Sequence, residues 1–229
     1  MPIRKTNLLL LDSLIKATSI LAIVGISHAM ASEVIQVRMT TNLGEIKIQL
    51  DMEKAPLTSK NFLKHVDAGH YDSLIFHRVI EDFAIQSGGY DKDLVERESE
   101  GALYNEAGNG LHNVAGSIAM ARENEIDSAG RQFFINTDDN TSLDHSEKSC
   151  SREDEKKYLK AIDRGLNKPV TCATYGYAVF GRVVDGMDVV SAIAASPTED
   201  KDDFYDIPIS SIIIKSIERV KFPVGTEQL

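Results

Sequence analysis

The chain has 229 residues, 42% of them hydrophobic and 26% charged, which is enough to bury a full core, and no Pro/Ser-rich linker or charge block divides it. Its formal net charge is -10, and setting aside the first 31 residues (Arg4, Lys5 and Lys16 against Asp12) makes it -12. That balance argues against nucleic acid or anionic membrane as a partner, because phosphate recognition relies on clustered Lys and Arg.

Taken in chain order, residues 1–31 read as a secretory signal peptide, leaving 32–229 as one domain. Arg4, Lys5 and Lys16 form a positive region, Ala17 to Ile26 a short apolar core, and Ala29-Met30-Ala31 a small-residue cleavage site before Ser32. Asp12 is atypical there. The rival readings are an uncleaved anchor and a structured helix, but Lys16 cuts the apolar run well below the roughly 20 residues that span a bilayer. The expectation is export to the periplasm, with secretion as a lesser alternative and no stable membrane insertion after cleavage.

Val37 and Met39, the turn Asn42-Leu43-Gly44, and the alternating Glu45 to Leu50 predict a hairpin with Ile46, Ile48 and Leu50 inward. Pro56 starts a helix with Phe62, Leu63 and Val66 on its apolar face, and Gly69 ends it. Phe76 to Gly89 opens as a strand and runs into a glycine pair; Arg78 interrupts its apolar run and Gln86 closes it. The polar stretch Tyr90 to Gly110, with Glu96, Arg97, Glu98 and Glu100, reads as a solvated loop. Short strands are expected at Ile118 to Ala121, Phe133 to Thr137 and Tyr177 to Val184, a helix at Met187 to Ala195, and a final strand at Ile212 to Val220. Between them, Glu153 to Ile162 has some helical periodicity, stopped by Gly165 and Pro169. About eight strands with hairpin-length connections and two helices predict a mainly β, antiparallel barrel capped by helices. Cys150 and Cys172 are the two cysteines; in an exported chain they read as a disulfide, in the cytosol as buried thiols.

Three segments carry a sharper signal: Phe76 to Gly89, Gly116 to Ala121 with Ser128 to Thr137, and Tyr175 to Val184. In this order they resemble the cyclophilin family of peptidyl-prolyl isomerases, and the chain is most similar to its bacterial periplasmic members. The resemblance runs from about Val34 to Val220, interrupted by an insertion at about 146–174. It implies a closed eight-stranded antiparallel barrel with a packed interior and an active groove on its outer face.

The implied reaction makes few chemical demands. Rotation about an amide C–N bond meets a barrier of about 18–20 kcal/mol from resonance. Only proline leaves cis and trans close in energy. No bond is cut, so the site needs an apolar pocket for the ring and donors whose bonds strengthen as the amide twists. By resemblance, Arg78 is the catalytic donor, and Gln86 and Gln132 orient the arginine and the substrate backbone. Phe83, Ala84, Phe134, Leu143 and Tyr177 wall the proline pocket, while Ala121 and Arg122 present backbone groups to the residue before proline. His77 points the other way by strand alternation and reads as a buried structural histidine.

This chain departs from the family at several positions. Ala84 stands where methionine is common, which should widen the pocket; Ser142 replaces a tryptophan of eukaryotic members that helps hold cyclosporin, so weak binding of that drug is expected. Tyr177 stands where many members have histidine, and Arg122 where asparagine is frequent, which would favour acidic residues ahead of proline. No metal-site, phosphate-loop or Gly-x-Ser-x-Gly motif is present, so no metal or cofactor is implied. The leading expectation is a monomeric exported isomerase that acts on proline-containing polypeptides and assists their folding. The alternative is a binding or chaperone module in which the insertion supplies a partner surface.

Overall fold

Side-chain alternation sets the first hairpin. In the computed structural model, which describes residues 34–98, 101–146, 150–163, 172 and 175–220, strands β1 (Ile35–Thr41) and β2 (Glu45–Leu50) pair antiparallel. Val37 faces Ile48 and Met39 faces Ile46, and all four are fully buried. Thr41 Oγ1 closes the turn by accepting the N–H groups of Leu43 and Gly44, each at 3.0 Å. The signal peptide expected over 1–31 lies outside the described residues.

Helix α1 (Pro56–Asp67) begins with proline, whose missing N–H and fixed φ suit a first turn. Its remaining free donors are met by a residue distant in sequence. Glu106 accepts the N–H of Leu57 at 3.2 Å, and the N–H and hydroxyl of Thr58 at 2.8 and 2.7 Å. The carboxylate thus supplies both acceptors and the negative charge a helix N-terminus favours. The inward face carries Phe62, whose ring packs 5.2, 5.6 and 5.2 Å from those of Tyr71, Phe133 and Phe180.

The remaining strands are β3 (Arg78–Ile80), β4 (Ala84–Ser87), β5 (Ser117–Met120), β6 (Phe133–Asn136) and β7 (Val179–Asp185). After helix α2 (Arg152–Asp163) and helix α3 (Met187–Ala194) come β8 (Thr198–Lys201), β9 (Phe204–Pro208) and β10 (Ile214–Arg219). Eight strands form one antiparallel sheet in the order β10-β1-β2-β7-β5-β6-β4-β3, and β8 and β9 form a separate hairpin. The mainly β, eight-stranded antiparallel architecture agrees with expectation.

Two features correct it. The barrel is open: β3 and β10 are the two ends of the sheet. Between them lies an isolated Ile75–Ile213 bridge, flanked by Phe76 N–H to Ile212 O at 2.9 Å and Ile214 N–H to Leu74 O at 2.8 Å. The seam is therefore crossed by residues that precede β3 and by residues just before and at the start of β10, and three-residue β3 is too short to extend the ladder. The α-helices also number three among the described residues, because α2 forms within the insertion.

The loop around residues 90–110 is corrected as well. Arg97 Nη1 donates to the carbonyls of His70 and Asp72 at 2.5 and 3.1 Å. Asn105 is buried, donating to the carbonyls of Ile126 and Gly176, each at 3.1 Å. Arg97 and Asn105 are thus structural ties, while Glu96 and Glu98 are exposed as expected of a solvated loop and Glu100 lies outside the described residues.

Candidate active site

Register across four strands builds the site. Arg78 of β3 lies opposite Gln86 of β4, Gln86 opposite Phe134 of β6, and Phe134 opposite Ala119 of β5. These residues share the outer face of the sheet. Their chain neighbours Val79, Ile85, Phe133, Ile135, Ile118 and Met120 go the other way into the main core, as a period of two requires. On the outer face Ala84, Ala119, Phe134 and Val179 form a second apolar cluster, joined by Phe83, Leu111, Ala121, Leu143 and Tyr177.

This cluster surrounds a cavity of about 180 Å³. Arg78 and Gln86 stand on its polar side, Phe83, Ala84, Phe134, Leu143 and Tyr177 supply its apolar wall, and Ala121 and Arg122 complete it. Nine of the ten groove residues expected from sequence thus meet at one cavity. The tenth, Gln132, lines the adjoining cavity and accepts a 2.9 Å hydrogen bond at Oε1 from Gln86 Nε2.

The Arg78 side chain is about 43% exposed, with Nε 3.9 Å from Asp206 Oδ2 on β9. Its guanidinium is therefore held at the rim rather than sealed in a buried pair. His77 turns inward and packs edge-on against Tyr90, ring centroids 4.9 Å apart. Burial pushes its imidazole down to about 4; Ile75 and Gln132 pull the other way, and the neighbouring Arg78 charge adds to the depression.

The opposite wall is braced by the insertion. The rings of Phe134 and Tyr177 meet edge to face at 5.7 Å, and the Arg122 guanidinium lies 4.8 Å from the Tyr177 ring centre. Arg122 donates from Nε to Gly176 O at 3.0 Å, from Nη1 to Glu123 O at 2.8 Å, and from Nη2 to Cys172 O at 2.8 Å. Burial lowers its pKa, with Tyr177 and Glu155 opposing. Cys172 is disulfide-bonded to Cys150, their Cα atoms 5.2 Å apart. From α2, Arg152 pairs with Asp127 at 2.9 Å and stacks on Tyr104 and Tyr175, while Glu155 accepts the Ile126 N–H at 2.6 Å. Gly176 has φ +96°, and a Cβ there would meet His145 N at 2.5 Å, so only glycine lets the segment before β7 approach the chain just after Leu143.

Residues 36–219 match the family model for cyclophilin-type peptidyl-prolyl cis-trans isomerases. The chain belongs to that family. It is 37% identical over 204 residues to peptidyl-prolyl cis-trans isomerase A of Dickeya dadantii, covering 89% of this chain and 94% of that protein. It is 39% identical over 177 residues to peptidyl-prolyl cis-trans isomerase B of Escherichia coli, covering 77% and 94%. Among solved structures, a Cryptosporidium parvum cyclophilin superposes with a TM-score of 0.60 at 24% identity, covering 83% of this chain and all of that one. The same protein solved in the presence of the dipeptide Ala-Pro gives a TM-score of 0.58 at 24% identity, covering 82% of this chain and 99% of that one.

Behind the cyclophilin groove lies a polar lattice that sequence reading missed. Asn136 donates to Ser117 Oγ at 2.8 Å and Asn113 Oδ1 at 3.2 Å; Asn140 donates to Asn136 Oδ1 at 2.8 Å and to the Phe83 carbonyl at 2.7 Å. Asp144, next to Leu143, accepts the Asn113 N–H at 2.7 Å and faces His112 Nδ1 at 2.8 Å. Burial alone would raise the Asp144 pKa, but the Asn113 and His112 hydrogen bonds outweigh it and hold the carboxyl below its usual value. The lattice ties two lining residues of the cavity to one set of buried amides, Phe83 through its carbonyl and Leu143 through its N–H, which donates to Asn140 O at 2.8 Å. The available signal was Asn136, a polar residue closing the apolar run Phe133-Phe134-Ile135. Among the described residues, no group of three or more His, Cys, Asp or Glu could hold a metal ion.

Proposed function

We propose that this peptidyl-prolyl cis-trans isomerase works on X-Pro bonds of exported polypeptides in the periplasm and speeds their folding. Family membership supports isomerisation as the reaction. The observation that carries the site assignment is the row that puts the Arg78 guanidinium and the Gln86 amide at the rim of an apolar cavity walled by Phe83, Phe134 and Leu143.

In the proposed mechanism the prolyl ring enters that cavity, where removing its apolar surface from water supplies binding without a strong polar contact. The flanking backbone is held by Gln86, Gln132 and the Ala121–Arg122 edge. As the imide twists, its nitrogen loses resonance and becomes a better acceptor. The Arg78 fork, fixed beside the ring, then donates more strongly to the twisted form than to either planar one, which lowers the barrier. No proton is transferred and no covalent intermediate forms. The Ala-Pro dipeptide used with the Cryptosporidium parvum neighbour supports a proline-containing ligand.

Export rests on the leader-like first 31 residues and fits the Cys150–Cys172 bond, since disulfides persist in oxidising compartments. The chaperone-module reading gains less support, because Arg152 and Glu155 of α2 are engaged with the chain's own Asp127 and Ile126. Expression of the full chain with mass analysis of the periplasmic fraction tests the assignment. A product starting at Ser32 that shortens the proline-limited phase of a refolding protein is expected. A full-length cytosolic product, or an inert one, would overturn it.

A further inference from the structure

We propose that Arg131 is a specificity residue that selects substrates bearing an acidic side chain close before the prolyl bond. The inference rests on the isomerase reading above and supplies a substrate class for it. Arg131 is only 2% exposed, yet it flanks a second cavity of about 560 Å³. That cavity shares Gln86, Ala121 and Arg122 with the proline slot, so a peptide held in the slot runs past it on the side assigned to the residues before proline.

The guanidinium is incompletely satisfied. Nε donates to the Gly88 carbonyl at 3.1 Å, Nη2 lies 3.3 Å from Glu96 Oε1, and Nη1 has no hydrogen-bond partner among the described residues. A buried donor left unmade is costly, and a carboxylate can take two parallel N–H bonds from one guanidinium. Glu96 is a partial substitute: it makes a single long contact from a side chain that is 60% exposed, so an incoming carboxylate can displace it. Arg122 adds positive charge but no open fork, since Nε, Nη1 and Nη2 each donate to a backbone carbonyl. Glu123 also lines the cavity and balances one of the two cations. Once Glu96 moves aside, the cavity keeps a net positive charge. The preference for acid expected of Arg122 is therefore transferred to Arg131.

The test compares matched Pro-peptides with Glu or Gln placed in turn at the first and second positions before proline. A chain of formal charge -10 repels a carboxylate in bulk, so a preference for Glu requires a local cation. The wild-type chain should favour Glu in kcat/KM by about fivefold or more at one position, the scale of one charge-assisted hydrogen bond. Arg131→Met should bring that ratio down to about one, because it keeps the aliphatic stem and removes the fork. Exposed Glu96→Gln should raise the ratio, and decides the matter should the buried substitution prevent folding. Equal, non-zero rates for Glu and Gln peptides at both positions, or a ratio unmoved in both variants, would overturn the inference. Absence of turnover on every peptide would instead overturn the isomerase reading.

Discussion

Removing the His77 titration should flatten the acid side of the stability curve. His77 is 5% exposed, with its ring against Tyr90 and Arg78 and Gln132 as its polar neighbours. Its folded pKa is about 4 against 6.5 when exposed, so between those values the unfolded chain binds a proton that the native chain refuses. Stability is fully present above pH 6.5 and is lost as pH falls towards 4. One pKa unit is 1.36 kcal/mol, so the loss from this residue is about 3 kcal/mol. His77→Phe keeps the ring packing and deletes the titration. Urea unfolding of both proteins from pH 7.5 to 4 measures the difference; carboxylates and His70 titrate in both and cancel. The stability of wild type relative to His77→Phe should fall by about 3 kcal/mol over that span. Parallel curves would refute the argument that burial holds the imidazole neutral.

Other outcomes follow from single contacts. Glu106→Ala removes the acceptors for Leu57 and Thr58 and should cost about 1–2 kcal/mol in denaturant unfolding, with the α1 amides exchanging faster. Replacing both Cys150 and Cys172 by serine should cost about 3 kcal/mol through the freed 22-residue separation. Because the Cys172 carbonyl anchors Arg122 beside Tyr177, the same variant should raise KM for Pro-peptides more than it lowers kcat.

Much of this architecture was written locally. Ile46, Ile48 and Leu50 alternate, and Phe133, Phe134 and Ile135 divide between core and groove as a period of two dictates. What escaped reading depended on partners distant in sequence. Nothing in Glu106 marks it as the cap of a helix that begins 50 residues earlier, and Arg131 beside Gln132 gives no hint that it is buried. Strand β8 is Thr-Glu-Asp-Lys, exposed throughout, so it lacks the apolar alternation that reveals strands. It is defined only by its pairing with β9, whose Asp206 then approaches Arg78. Closure of the barrel was unreadable for a related reason: strand count predicts a ring, while the short β3 and the displaced seam residues decide that it stays open.

The central claim is that a guanidinium at the edge of an apolar slot eases rotation of the imide. The most direct measurement is kcat/KM for cis-to-trans conversion of an X-Pro peptide by wild type and Arg78→Ala, with unfolding midpoints taken alongside. Arg78 is half exposed with one 3.9 Å ion pair, so its loss should leave the midpoint nearly unchanged. Turnover should fall by about tenfold or more. Turnover equal to wild type in a folded Arg78→Ala protein would contradict the account.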